Sequence, residues 1–127
     1  MELLLDTHAF LWWDAADSRI SARWAETIAD PANSVFVSAA TAWEIAIKRR
    51  AGKLAFARVL TEVAEEYGFT WLPMSEQDAE LAGDLDWAHR DPFDRMLVAQ
   101  ASRRRLALVT SDLAISAAPG VQLLPTS

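Results

Sequence analysis

The chain has no cysteine among its 127 residues. That excludes disulfides, thiol catalysis and thiolate-bound zinc together. With only two histidines, imidazole contributes little to any metal site. Positive charge is short as well: 12 Lys and Arg face 18 Asp and Glu, a net of −6. A simple nucleic-acid binder normally shows a basic face, so this balance points away from one. No apolar run approaches the ~20 residues of a membrane span. The opening Met1–Asp6 has no basic segment of the kind that starts a secretory signal. A soluble, cytoplasmic protein is the expectation. Glycine is sparse and scattered, with four residues and no cluster, and no repeat or linker is visible.

What is present is a globular composition, 52% hydrophobic and 24% charged, which excludes disorder. The length suits one domain covering residues 1–127. Leu3–Leu5 is a short apolar run that stops at Asp6, the pattern of a strand buried on both faces. Further strands are predicted over Ser34–Ser38, Phe69–Leu72, Leu106–Thr110 and Val121–Leu124. Helical patterns lie between them, over Ser21–Ala29, Ala39–Arg50, Ala55–Tyr67, Ser75–Leu85 and Pro92–Arg104. Ser75 with Asp78 approaches a capping box, and Asp91 before Pro92 is a good N-cap. Alternating strands and helices predict an α/β fold with a mostly parallel sheet of four to five strands. Ligands of such sheets bind outside the carboxyl ends of the strands.

That rule selects Asp6 after the first strand and Asp112 after the fourth. Either could simply cap the helix that follows it. Two further acids are unusual in their setting. Glu44 lies inside an apolar helix between Trp43 and Ile45, with Lys48 one turn on as an i,i+4 partner. Asp94 sits in the first turn of the helix that Asp91 already caps. If Asp6, Glu44, Asp94 and Asp112 converge, four carboxylates make six repulsive pairs. At about 5 Å and an effective dielectric near 20, each pair costs roughly 3 kcal/mol. The sum is on the order of 20 kcal/mol, more than the stability of a domain. Such a cluster must take up protons or bind cations. Oxygen-only ligands suit Mg²⁺ or Mn²⁺.

Four segments together carry a family resemblance: Leu3–Trp13, Ala42–Lys48, His89–Ala101 and Leu108–Asp112. In order and spacing they resemble the PIN-domain family, and within it the VapC-type toxins of bacterial toxin–antitoxin pairs. The resemblance implies a three-layer α/β/α sandwich and an endoribonuclease dependent on Mg²⁺ or Mn²⁺. It carries the family's four site acids onto Asp6, Glu44, Asp94 and Asp112, as metal ligands and catalytic residues, with Asp91 left as a helix cap. It also implies a homodimer, a VapB-like antitoxin whose tail packs across the acidic groove, and a higher complex of the two. The alternative is a non-catalytic PIN-like module that binds RNA or protein.

RNA needs cations to meet its phosphates. Lys48, Arg49, Arg50, Lys53 and Arg58 stand against Glu44 alone in residues 44–58. Lys48, Arg49 and Arg95, beside the site acids, are candidates for RNA contact. Thr7 and Ser111 are candidates to support the site by hydrogen bonding. Arg103–Arg105 reads as solubility charge, and His8 and His89 read as peripheral. The consecutive Phe10-Leu11-Trp12-Trp13 cannot all face one core, so part of it is expected to meet an antitoxin or a second subunit. Most of the six tryptophans are expected in the core or an interface. Setting the four site acids aside leaves 14 acids against 12 bases. The surplus is then compatible with a metal-ion nuclease.

Overall fold

The computed structural model describes residues 1–127. In chain order the elements are β1 (Glu2–Leu5), α1 (Thr7–Asp14), α2 (Ala22–Ala29), β2 (Ser34–Ser38), α3 (Ala39–Arg50) and α4 (Leu60–Glu66). They continue as β3 (Thr70–Leu72), α5 (Glu76–Asp84), α6 (Pro92–Arg104), β4 (Ala107–Val109), α7 (Leu113–Ser116) and β5 (Gln122–Leu123). The five strands form one sheet in the order β3-β2-β1-β4-β5. Every pairing is parallel, so the expected "mostly parallel" sheet is parallel throughout.

The two-residue period of the strands splits the core into two layers. Leu3 and Leu5 of β1, Val35 and Val37 of β2, and Ala107 and Val109 of β4 point to one side. There they meet Phe10 of α1, Trp24 and Ile28 of α2, Ile45 of α3 and Val63 of α4. Leu4 and Leu108 point to the other side, against Leu97, Val98 and Ala101 of α6 and Ile115 of α7. Helices on both faces explain why the strands read as continuous apolar runs. The result is a three-layer α/β/α arrangement. No helix is long and apolar enough to cross a membrane.

The strand order has a consequence for function. The chain leaves β1 for β2 on one side, and β4 then adds on the other side of β1. Neighbouring helices diverge at that switch point and open a crevice at the carboxyl ends of β1 and β4.

The structure corrects two expectations outside the site. The helix predicted over Ala55–Tyr67 forms only from Leu60 to Glu66. Residues before Val59 stay irregular because Arg49 of α3 donates to the carbonyls of Phe56 and Arg58, both at 3.3 Å. The tryptophans follow the expectation: Trp24 is fully buried, its indole donating to the carbonyls of Leu124 and Pro125, and Trp12, Trp13, Trp71 and Trp87 pack partly buried against the core. Trp43 is 55% exposed.

Arg103 and Arg104 are the second correction. Both pair with Asp78, a fully buried carboxylate that also completes the capping box of α5 with Ser75. Burial alone would raise the Asp78 pKa, but hydrogen bonds from Arg104, the Ser75 N–H and Arg103 outweigh it and hold the carboxyl well below its usual range. A depressed folded pKa contributes stability above the unfolded value of about 3.9 and loses it as pH falls. Asp78→Asn is therefore expected to lower the melting temperature at neutral pH by more than at pH 2–3. Melting curves of the two proteins between pH 7 and 2 check this.

Candidate active site

Asp6 follows the last residue of β1, and its backbone N–H still bonds to Val109 of β4. Its Oδ1 accepts from the Ala9 N–H at 2.7 Å and so caps α1. Asp112 does the same for α7, accepting from Ala114 at 2.8 Å. Asp91 caps α6, accepting from Phe93 at 2.9 Å. Capping and site duty are thus not alternatives here. A residue that starts a helix after a parallel strand stands at the strand's carboxyl end, where the crevice lies.

Glu44 comes in from α3, buried, while the preceding Trp43 is exposed. Its Oε1 accepts from the Thr7 hydroxyl at 2.6 Å and its Oε2 from Lys48 Nζ at 2.8 Å. Thr7 also lies 3.2 Å from the Thr41 hydroxyl. Asp94 comes from the first turn of α6, with His89 Nε2 at 2.7 Å from its Oδ2.

These side chains share one cleft of about 110 Å³, lined by Asp6, Thr7, His8, Glu44, Lys48, Asp91, Asp94, Asp112 and Ile115. All four acids selected from the sequence are there, and Asp91 adds a fifth. One ammonium, Lys48, faces five carboxylates. The volume is far below the ~300–1,000 Å³ of an organic-ligand site. Burial pushes the Asp6 pKa up; hydrogen bonds from Thr110 and Ala9 and the charge of His8 oppose this, and Asp94 adds to it. Burial likewise raises Asp94, against the His89 hydrogen bond, with the Asp91 and Glu44 charges adding to the rise. The cleft therefore holds more negative charge than its own donors offset.

Other expectations are redistributed. Lys48 and Thr7 are in the cleft. Ser111 is exposed and outside it. The neighbouring Thr110 does the supporting work: it is buried, lowers the pKa of Asp6 and accepts from the Asp112 N–H at 3.1 Å. Arg49 holds the loop after α3, as described above. Arg95 is turned away from the cleft. Its Nε donates to Ala82, its Nη1 to Trp87 and His89, and its Nη2 to Gly83 and Leu85. All five guanidinium donors are taken by backbone carbonyls, so none is left for a phosphate. Arg95 is a staple for residues 82–89 in place of the expected RNA contact. His89, read as peripheral, touches a site acid. A donor five residues ahead of Asp94, across a loop and a helix start, has no sequence signature.

The chain matches the PIN domain over residues 3–121. It belongs to the PIN-domain family. No curated protein is similar enough to the chain to count as a match. Among solved structures, the DNA-bound VapBC of Salmonella typhimurium is similar at a TM-score of 0.71 and 20% identity, over 100% of this chain and 99% of that one. VapBC2 of Rickettsia felis bound to a promoter DNA fragment is similar at 0.65 and 14%, covering 98% of both chains. FitAcB of Neisseria gonorrhoeae is similar at 0.65 and 22%, covering 99% and 98%. At these identities the likeness shows a shared fold. In this PIN domain the acids sit where the topology opens.

The donor set can be compared with what a divalent ion requires. Its chemistry fits: the cleft offers carboxylate and hydroxyl oxygens, no sulfur, and an uncompensated negative charge. Its closure is incomplete, since no three Asp, Glu or His side chains are grouped closely enough to hold an ion as they stand. Each acid is oriented by a protein donor, with Lys48 as the internal counter-charge of Glu44.

Proposed function

We propose that this PIN domain, acting as one unit over residues 1–127, is the toxin of a type II toxin–antitoxin pair. It works in the cytoplasm as a VapC-type endoribonuclease dependent on Mg²⁺ or Mn²⁺. The observation that carries the reading is the convergence of Asp6, Glu44, Asp91, Asp94 and Asp112 on one small cleft at the switch point of the sheet. Asp6, Glu44 and Asp94 would hold the ion, and Asp112 would complete a second site or position the attacking water. A bound divalent ion supplies a water of lowered pKa and positive charge for the leaving oxygen. The protein's own part is orientation. Thr7 fixes Glu44, the Ala9 N–H fixes Asp6, and Thr110 fixes the turn that carries Asp112. Lys48 is the cation placed to meet a phosphate at the rim.

A partner is supported by two observations. The structural neighbours above are VapBC and FitAB-type assemblies. On this chain, Trp12, Trp13, Ile20 and Tyr67 line an apolar groove of about 480 Å³ with Asp14 and Asp17 at its edge. A VapB-like antitoxin segment with apolar anchors would fit it, on a homodimer or a larger complex of toxin and antitoxin.

The purified protein is expected to cleave a mixed RNA pool with Mg²⁺ or Mn²⁺ and to stop with EDTA. Equal cleavage by wild type and Asp6→Asn would overturn the reading. Binding of RNA without cleavage in any metal would favour the non-catalytic module.

A further inference from the structure

His89 is built into place by more than one contact. Its ring packs against Trp87 with centroids 4.7 Å apart. Its carbonyl and that of Trp87 accept from Arg95 at 2.9 and 2.7 Å. Its side chain is 27% exposed, and Asp94 beside it 17%. The carboxylate can only accept, so the imidazole donates from Nε2 to Oδ2 at 2.7 Å. Asp94 lines the acidic cleft and His89 does not. His89 thus stands behind Asp94 as seen from the cleft.

Asp94 differs from its neighbours in how it is held. Glu44 has two side-chain donors, and Asp6, Asp91 and Asp112 have helix N–H groups. Asp94 has His89 alone, and its Oδ1 accepts no hydrogen bond from the protein. We propose that His89 is a positioning residue for Asp94. By taking Oδ2 it fixes the carboxylate and leaves Oδ1 for a cation in the cleft. The inference rests on the divalent-cation reading above and adds the residue that sets one ligand's orientation. Loss of such a partner typically weakens metal affinity 10–100-fold.

The test uses Mn²⁺ alone as the probe, titrated into the metal-free full chain at constant pH and followed by electron paramagnetic resonance of free Mn²⁺. His89→Phe keeps a ring against Trp87 and removes the donor. His89→Gln keeps an N–H donor at similar reach. H89F is expected to weaken Mn²⁺ binding about tenfold or more, and H89Q to recover most of it, with both melting near the wild-type temperature. Wild-type affinity in H89F overturns the inference. Equal weakening in both variants also overturns it, because the hydrogen bond is then not what matters. A wild-type chain that binds no Mn²⁺ overturns the cation reading itself, and the inference with it.

Discussion

Asp6→Asn is expected to reduce RNA cleavage on the order of a hundredfold or more and, at the same time, to raise the melting temperature of the metal-free protein. The first effect follows from removing one ligand of the proposed divalent ion, which supplies the activated water and the positive charge. The second follows from electrostatics. Burial raises the Asp6 pKa, with the neighbouring Asp94 charge adding to it. A raised folded pKa means the ionised form costs stability: the cost is absent below the unfolded value of about 3.9 and complete above the folded one. At neutral pH the wild type therefore bears it fully. Asparagine removes the charge and is itself a good N-cap, so α1 keeps its start. A gain of about 1 kcal/mol would move the melting temperature of a chain this size by roughly 3–5 °C. Paired measurements of cleavage and melting on the two proteins check both. A variant that loses activity and stability together would mean that Asp6 serves the fold alone.

The second large effect concerns Arg95. Arg95→Ala removes five charge-assisted hydrogen bonds to carbonyls of residues 82–89, of which Leu85 keeps the Trp87 N–H. Some of those carbonyls can turn to water, so the expected loss is about 3 kcal/mol, below the sum of five separate bonds. That is roughly 10–15 °C in melting temperature. Arg95→Lys is expected to recover less than half of it. A single ammonium has three donors in place of a planar set of five. Cleavage should fall in R95A as well, because the stapled segment carries His89 and leads into Asp91 and Asp94. Thermal denaturation of R95A and R95K reads the ranking; a full rescue by lysine would contradict it.

The sequence made the acids legible for a physical reason. Short apolar strands ended by Asp6 and, shortly after Thr110, by Asp112 mark carboxyl ends in a parallel sheet, and that is where the structure places them. Glu44 was legible as an acid in an apolar helix, and Asp94 as a second acid where one cap sufficed. Asp91 was read as a cap, which it is, but a cap at this point of the fold also faces the cleft. The roles of Arg95, Thr110 and His89 depend on three-dimensional neighbours. An arginine next to a site acid looks the same in sequence whether it faces phosphate or five carbonyls. Ser111 is the hydroxyl nearest Asp112 in sequence, but the alternation of faces along β4 into its turn brings the neighbouring Thr110 to the acids. The helix over Ala55–Tyr67 starts late, at Leu60, because Arg49 at the end of α3 holds the carbonyls of Phe56 and Arg58, a contact that apolar spacing does not show.

The five-carboxylate cleft is proposed as a divalent-cation site. A crystal structure grown with Mn²⁺, with its anomalous signal measured, tests this most directly. An anomalous peak is expected, bounded by Asp6, Glu44 and Asp94, with carboxylate oxygens at about 2.0–2.3 Å. A cleft without such a peak in a protein that still cleaves RNA with Mn²⁺ would contradict it.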